Sequence, residues 1–279
     1  MGFEIFFTMK FNRLYIVRWT VIIVLLATGA CESVESEFQK CQQDGLCGSI
    51  LEIKRIASEF PNSPNHPTWQ SEASFANVKL GPQLITNPQW PNPAVKSVLV
   101  SALRSNSEIA VLLEWDDNSN ELESSYSDEY TDKAAVMFPL RTEMPPITMG
   151  AEGHPVNIWQ WKASLEKPLK KTLFPGNTPL SKTVVQDDKV NPDIKKSPVE
   201  DLNAEGFSTL TYQVRQNVFG KGIWKNKKWR VMFKRNLKNE DLKDVQFFGS
   251  TPMAIAIWNG ANKERNGQKG VANWILLKF

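Results

Sequence analysis

Residues 144–162 read MPPITMGAEGHPVNIWQWK, so that Met149 lies on a loop flanked by proline and glycine, just before a tryptophan-rich strand. Methionine normally fills gaps in protein cores. On a loop it either fills such a gap or offers its soft thioether sulfur to a partner. Met149 is therefore a candidate binding residue, and the simpler alternative is a turn followed by a core strand.

Acid–base and nucleophilic catalysis find little support in the sequence. The chain has only two histidines, His66 and His154, and each directly precedes a proline in a turn-like context. The carboxylates of EWDD, which are Glu114, Asp116 and Asp117, end a strand and are followed by Asn and Ser. That context indicates a solvated turn rather than a general acid–base pair. With no Gly-rich phosphate loop either, the sequence argues against a hydrolase or a nucleotide enzyme.

A second polar loop lies near the C-terminus, where residues 258–274 read WNGANKERNGQKGVANW. Its Asn-Gly steps mark tight turns. Lys269 lies between Gly267 and Gly270, just before the last apolar segment. Taken by itself, Lys269 is a surface lysine in a hairpin, and composition favours that interpretation over a functional one.

Short apolar segments must position these two loops. From about residue 76, runs of about 5–10 residues rich in β-branched and aromatic side chains alternate with turn residues. They include EIAVLLEWDD, KAAVMFPL, KKWRVMFKRNL and PMAIAIWNG. Because no amphipathic helices intervene, the pattern predicts an all-β fold, an antiparallel β-sandwich with short helical and irregular insertions.

The composition is that of a globular domain, and it argues against a nucleic acid as the partner. The 279 residues include 41% hydrophobic and 23% charged side chains, and the net charge of +3 is too small to indicate nucleic-acid binding. Ten tryptophans indicate a stiff aromatic core or a pocket for a flat ligand.

The predicted sandwich spans residues 76–279, with an irregular loop insertion at about 165–205 that we expect to contact a partner.

The N-terminus predicts export. Lys10, Arg13 and Arg18 precede the apolar run WTVIIVLLATGA, which has the length of a secretory h-region and is short for a transmembrane helix. Residues 1–31 are therefore predicted to be a signal peptide or a lipoprotein signal, in which Cys31 would carry the lipid. The protein would then reside in the periplasm or at the outer face of the cytoplasmic membrane.

Residues 32–75 are predicted to be a polar lead-in with some helical character. This segment contains Cys41 and Cys47, which can form one short disulfide in an exported protein. A metal site is less favoured, because four ligands of suitable type and spacing are absent from the sequence. The sequence also lacks the Cys-x-x-Cys-His pattern of covalent haem attachment.

Five motifs, taken in their order, resemble one known family. They are EWDD, AAVMFPL, PPITMGAEGHPVNIWQWKA, KKWRVMFKRNL and MAIAIWNGANKERNGQKGVANWILLKF, within residues 76–279. Their order is similar to that in the haem b-binding γ subunits of the type II dimethyl sulfoxide reductase family. That family includes ethylbenzene and dimethyl sulfide dehydrogenases, selenate and chlorate reductases and nitrite oxidoreductases.

The resemblance implies a β-sandwich that holds one non-covalent haem b through an axial methionine and an axial lysine. Carried onto this chain, the methionine is Met149, and Met144 is the nearest rival, although it lacks a following glycine. The lysine is Lys269, with Lys234 and Lys238 as alternatives.

The haem also needs flat apolar walls, for which Trp159, Trp161 and Trp258 are the predicted residues. By strand alternation, Trp159 and Trp161 share one face, which meets either the haem or the sandwich core. Phe138 and Trp274 are further candidates for the walls.

The resemblance implies partners as well. Such a γ subunit relays electrons between the iron–sulfur β subunit of a molybdenum enzyme, whose α subunit is catalytic, and an external cytochrome or quinone-linked partner. This chain would therefore be a non-catalytic electron-transfer subunit. Arg235 would pair with a haem propionate, and His154 would be a bystander.

Two other interpretations stay open at this point. Tryptophan-rich β-sandwiches also serve as exported carbohydrate-binding modules, in which exposed rings form platforms for sugars. A haem-free relative that acts only as a scaffold is the other.

Overall fold

The computed structural model describes residues 33–122, 130–166 and 197–279. Residues Val34–Phe279 form one compact unit. The predicted export signal, with Cys31, lies outside the described residues, and so does most of the predicted insertion, residues 167–196. Within the described part of the chain, no helix is both long and apolar enough to cross a membrane.

The described strands form two sheets. The large sheet consists of β1 (Cys47–Glu52), β6 (Lys133–Pro139), β7 (Val156–Lys162), β8 (Val199–Ala204), β9 (Thr211–Tyr212), β12 (Thr251–Trp258), β13 (Gly270–Val271) and β14 (Trp274–Lys278). The small sheet consists of β2 (Lys54–Arg55), β3 (Ser74–Lys79), β4 (Ser97–Arg104), β5 (Glu108–Asp116), β10 (Phe219–Trp224) and β11 (Lys228–Asn236). Helices α1 (Val34–Gln43) and α2 (Thr68–Ser71) and a 3-10 turn at Ala163–Leu165 accompany them.

The strand order places β6 and β7 at the centre of the large sheet. Its order is β1-β14-β12-β6-β7-β8-β9, with β13 paired to β12, and the small sheet has the order β10-β11-β5-β4-β2, with β3 paired to β4. Most pairs are antiparallel, and the predicted all-β sandwich is confirmed. Two edge pairs, β1 with β14 and β2 with β4, are parallel. Only Ile53 separates β1 from β2, so that one extended segment joins an edge of each sheet.

The segment predicted to be a polar lead-in, residues 32–75, contributes to the sandwich. Phe38 of α1 is fully buried in a cluster that also contains Trp274. A disulfide joins Cys41 of α1 to Cys47 at the start of β1. The structured unit therefore begins well before residue 76. Edge strands bury few side chains, so that β1 and β2 give only a weak apolar pattern in the sequence.

Strand β8 lies within the range predicted to be an irregular insertion. Its sequence, VEDLNA, looks like a polar loop, yet most of its residues are buried. Glu200 forms an ion pair with Lys162 at 2.6 Å, and Asp201 accepts a hydrogen bond from the side-chain amide of Asn157 at 2.7 Å. Buried carboxylates with such partners replace the apolar pattern that predicts a strand, and this explains the difference.

The main core lies between the sheets and is rich in aromatic rings. Trp161 of the large sheet packs against Trp115 and Trp229 of the small sheet, with ring centroids 6.4 and 4.8 Å away. Phe138 and Trp159 form a second contact, with centroids 4.7 Å apart. Rings of this size each bury a large apolar area. The inner face of the large sheet is thus used for packing, and alternate residues point outwards.

Candidate functional site

The outer face of the large sheet carries the residues that alternate with the core. Those that line a cavity on β6, β7 and β12 include Lys133, Ala135, Met137, Ile158, Gln160, Lys162, Ala254, Ala256 and Trp258. The strand register arranges them in three rows: Ile158–Met137–Ala254, Gln160–Ala135–Ala256 and Lys162–Lys133–Trp258. The first row is apolar, the middle row is built on alanine, and the third row is basic. The small alanine side chains leave room above the centre of the sheet.

Four loops enclose a cavity of about 440 Å³ above this floor. They lie between β3 and β4, between β6 and β7, between β8 and β9, and between β12 and β13. Each loop contributes lining residues, for example, in the same order, Gln83, Ile147, Phe207 and Asn266. The volume is within the range of roughly 300–1,000 Å³ that is usual for small-molecule and cofactor sites. The outer face of this sheet therefore provides a pocket for a cofactor-sized ligand.

Met149 lines this cavity from a sharply constrained loop. Its φ is 70°, and that of Gly150 is 84°. A side chain at Gly150 would bring its Cβ within 2.8 Å of the His154 carbonyl oxygen, so the loop needs glycine there. The Met149 carbonyl accepts a hydrogen bond from the Gly206 N–H at 2.9 Å. A left-handed backbone at a non-glycine residue costs about 1–3 kcal/mol, and such strain is concentrated at functional sites.

Lys269 lines the same cavity from the loop between β12 and β13. Its Nζ lies 4.8 Å from the ring centroid of Trp258. Desolvation by burial lowers the pKa of Lys269 to about 8. Among the described residues it has no carboxylate partner that would offset this cost. Burial therefore shifts Lys269 towards the free amine. A neutral amine is the form that can donate a lone pair to a metal.

Buried polar contacts fix the loop that carries Lys269. The indole N–H of Trp258 donates to the Asn266 carbonyl at 3.0 Å. Glu264 is fully buried and accepts a hydrogen bond from the indole N–H of Trp90 at 2.9 Å. Because Glu264 and Asn266 are both bonded to residues outside this loop, the loop is held in place just before Lys269.

Two buried aspartates support the same loop from beneath. Asp117, which was expected in a solvated turn, is buried and accepts a hydrogen bond from Asn259 Nδ2 at 3.0 Å. Asp132 accepts hydrogen bonds from the Gly260 N–H at 2.8 Å and the Trp229 indole at 3.0 Å. Desolvation raises the pKa of Asp132 to about 7. Neither carboxylate lines the cavity, so we assign both a structural role.

Three of the five predicted site residues line this cavity: Met149, Lys269 and Trp258. The other two, Trp159 and Trp161, lie on the opposite face of the sheet. The alternation that places these two tryptophans on one face is correct, but that face is the sandwich core. Trp159 Nε1 donates to Asn157 Oδ1 at 3.0 Å, within the core. The structure therefore corrects the assignment of Trp159 and Trp161 as walls of the pocket.

The other wall candidates also lie outside the cavity lining. Phe138 belongs to the core between the sheets. Trp274 is buried on the outer face, where its indole N–H donates to the Pro145 carbonyl at 2.9 Å. Trp274 thus supports the loop that carries Met149 and does not itself line the pocket.

The rival axial ligands lie elsewhere. Lys234 is on β11 in the small sheet, where its Nζ lies 3.4 Å from Glu108. Lys238 lies over the ring of Phe248 at 4.7 Å. Met144 packs against the outer-face cluster of the large sheet without lining the cavity. None of the three lines the pocket, so Met149 and Lys269 are the two ligand candidates predicted from the sequence that share it.

Arg235 and His154 have other partners. Arg235 is buried in the core, with its guanidinium over the Trp159 ring at 5.1 Å and 3.5 Å from Asp244. It does not lie at the mouth of the cavity, which corrects its assignment as a propionate partner. His154 Nε2 lies 2.9 Å from Glu143, outside the cavity lining.

Lys133 and Lys162 line one end of the cavity, and no motif in the sequence singles them out. The signal that reveals them is strand alternation. Once Trp159 and Trp161 are known to fill the core, Ile158, Gln160 and Lys162 must face outwards. Lys133 then follows from its register with Lys162 on the neighbouring strand.

The fold and the site together define a class: a β-sandwich with a thioether and a desolvated amine in one cofactor-sized cavity. The chain belongs to the ethylbenzene dehydrogenase family, whose model matches residues 66–270. That range includes both Met149 and Lys269.

Three relatives cover most of the chain. The chlorate reductase subunit gamma of Ideonella dechloratans is 25% identical over 282 positions, covering 97% of this chain and 100% of that protein. The dimethylsulfide dehydrogenase subunit gamma of Rhodovulum sulfidophilum is 26% identical, covering 78% and 76%. A protein of Haloferax mediterranei, named as a respiratory nitrate reductase heme subunit, is 26% identical, covering 80% and 70%.

Solved structures give a weaker likeness. A carbohydrate binding module of family 9 from Caldicellulosiruptor kristjanssonii, in complex with cellotriose, has a TM-score of 0.35 at 8% identity, covering 82% of this chain and 94% of the module. The glucose complex gives a TM-score of 0.37 at 9% identity, covering 82% and 96%. At this level the likeness says nothing about a ligand.

Proposed function

We propose that this chain is an exported electron-transfer subunit that binds one haem b in the cavity on the large sheet, where Met149 and Lys269 would hold the iron. It relays electrons between the iron–sulfur subunit of a molybdenum oxidoreductase and an external cytochrome or quinone-linked partner. The chain itself is not a catalyst. Membership of the ethylbenzene dehydrogenase family and the names of the relatives, two gamma subunits and one haem subunit, support this function.

The proposal includes a location outside the cytoplasm. The basic and apolar pattern of residues 1–31 supports an export signal. Lipidation of Cys31 would attach the subunit to the outer face of the cytoplasmic membrane.

One observation carries the haem assignment: Met149 and Lys269 line the same cavity although they lie on loops far apart in the sequence. Each loop is held by contacts of its own, and the rivals Met144, Lys234 and Lys238 lie outside the cavity lining. The apolar and alanine rows of the floor suit a flat apolar ring. The residues present therefore fit the proposed cofactor.

The two ligands would have distinct effects. When bound, haem supplies one-electron chemistry. The Met149 thioether would be a neutral, soft ligand, which favours ferrous iron and would raise the reduction potential. Lys269 can bind iron only as the free amine, and its burial, which lowers the pKa to about 8, already shifts it towards that form. The metal's own charge would lower this pKa further.

The test is spectroscopic. Purified protein from haem-replete expression should show a Soret band, with α and β bands after reduction. Met149→Ala and Lys269→Ala should each change the spectrum, because each removes one of the two side chains that would hold the iron. Met144→Ala and Lys234→Ala are matched controls that should leave the spectrum unchanged. Colourless wild-type protein, or unchanged spectra for both ligand variants, would contradict the proposal.

The alternative of a carbohydrate-binding module is disfavoured by the tryptophans. Sugar platforms use exposed rings, whereas all nine tryptophans in the described part of the chain are buried or half-buried. Only Trp258 lines the cavity, and it is itself buried. Colourless protein that binds polysaccharide would favour this alternative over the haem-binding function.

A further inference from the structure

The basic end of the cavity contains an unusual strand pair. Lys133 on β6 lies directly opposite Lys162 on β7, and both side chains line the cavity. Like charges at directly opposed positions destabilise a sheet. The pair lies at the ends of two central strands, and we therefore expect an anionic partner that both cations share.

The protein's own carboxylates satisfy only one of the two lysines. Lys162 Nζ lies 2.6 Å from Glu200 Oε2 on β8. Lys133, by contrast, forms no ion pair within the described residues. Burial lowers the pKa of Lys133, repulsion by Lys162 lowers it further, and Glu200 partly opposes both effects. Two cations thus face one carboxylate at this end of the cavity.

The opposite end of the floor is apolar. Ile158, Met137 and Ala254 form the row farthest from the lysines, and Leu202 extends it on β8. The cavity is therefore amphiphilic, with charge at one end only. A ligand that suits it has an apolar body and an acidic edge.

We propose that Lys133, held beside the Lys162–Glu200 pair, binds a carboxylate of the ligand in this cavity. This inference rests on the proposed function, under which the carboxylate is a haem propionate. In this role Lys133 takes the place predicted for Arg235, which is buried in the core on the other side of the sheet. Because Lys133 is the neighbour of Trp258 in the strand register, and Lys269 lies over Trp258, the contact would hold the acidic edge of the ligand on the side of the cavity where Lys269 lies.

The experiment compares haem b with its dimethyl ester, in which both propionates are blocked. Binding of each to the apoprotein is followed by titration of the Soret band. A charge-assisted hydrogen bond in a partly buried site corresponds to about tenfold to hundredfold in affinity. Wild-type protein should therefore bind haem b more tightly than the ester by that factor. Lys133→Met should lose this preference, and Lys133→Arg should keep much of it.

Lys234→Met is the matched control. Like Lys133, Lys234 is a half-buried lysine on a strand, but it lies in the small sheet, away from the cavity. It should bind both ligands as the wild type does. Equal affinity of the wild type for haem b and its ester, or a preference retained in Lys133→Met, would overturn the inference while leaving the proposed function intact. Failure of the wild type to bind either ligand would overturn both.

Discussion

The two faces of the large sheet are built from alternating residues of the same strands, yet their side chains differ in size, polarity and charge. The inner face presents Val136, Phe138, Trp159 and Trp161 to the small sheet. The outer face of the same two strands presents lysine, alanine, glutamine and single apolar side chains to a cavity. Strand alternation thus separates the residues that stabilise the fold from the residues that bind.

The difference shows why a tryptophan-rich strand was a misleading indicator of a pocket wall. In the sequence, Trp159 and Trp161 are the largest side chains beside the Met149 loop. Their size makes them valuable in the core, where a large ring buries much apolar area. A pocket floor requires the opposite property, and Ala135, Ala254 and Ala256 provide it.

The largest expected effect is loss of stability when the inner face is truncated. Trp161→Ala removes a fully buried ring that packs against Trp115 and Trp229. We expect the free energy of unfolding to fall by about 3–5 kcal/mol, as measured by urea denaturation. The control is Gln160→Ala, the next residue on the outer face, which should change stability by no more than about 0.5 kcal/mol. Similar losses for both variants would contradict the division between the faces.

A polar residue on the inner face tests the same division through pH. Asp201 lies opposite Trp159, and desolvation by burial raises its pKa to about 8, well above the ordinary value of 3.8. The folded state thus binds this proton more tightly than the unfolded state does. The contribution of Asp201 to stability is fully present below about pH 4 and is lost as the pH rises towards 8.

We therefore expect Asp201→Asn, which mimics the protonated carboxyl, to flatten the pH dependence of stability. In the wild type, Asp201 contributes a decrease of up to about 1.4 kcal/mol per pH unit in this window. Urea denaturation at pH 5 and pH 8 measures the difference. If the variant and the wild type have the same slope, Asp201 is ionised in the folded protein and the assignment is wrong.

Sequence patterns predict the central strands well, because β5, β6, β7 and β12 are apolar on their inner faces and bounded by turn residues. They predict the periphery poorly. Strand β1 is an edge strand with little buried surface, and β8 buries Glu200 and Asp201 in place of apolar residues. Partners such as Lys162 make that burial tolerable, and a strand's partners are not visible in its own sequence.

The candidate site is likewise only partly predictable from the sequence. The order of the family motifs predicts Met149 and Lys269, since no local pattern distinguishes Lys269 from a surface lysine. The strained backbone at Met149 and the desolvation of Lys269 appear only in three dimensions. Lys133 requires the register of β6 against β7 before it can be placed in the cavity.

The sharpest test uses two adjacent alanines of β6 that face opposite ways. Ala134 is fully buried in the core between the sheets, and Ala135 lies on the cavity floor. Ala134→Leu should destabilise the protein by about 1–3 kcal/mol through overpacking. Ala135→Leu should change stability by less than about 0.5 kcal/mol, because the added atoms enter empty space, yet it should block haem uptake in a Soret titration. Haem binding by Ala135→Leu with unchanged affinity would place the ligand elsewhere, since a leucine at the centre of the floor occupies the volume that the ring requires.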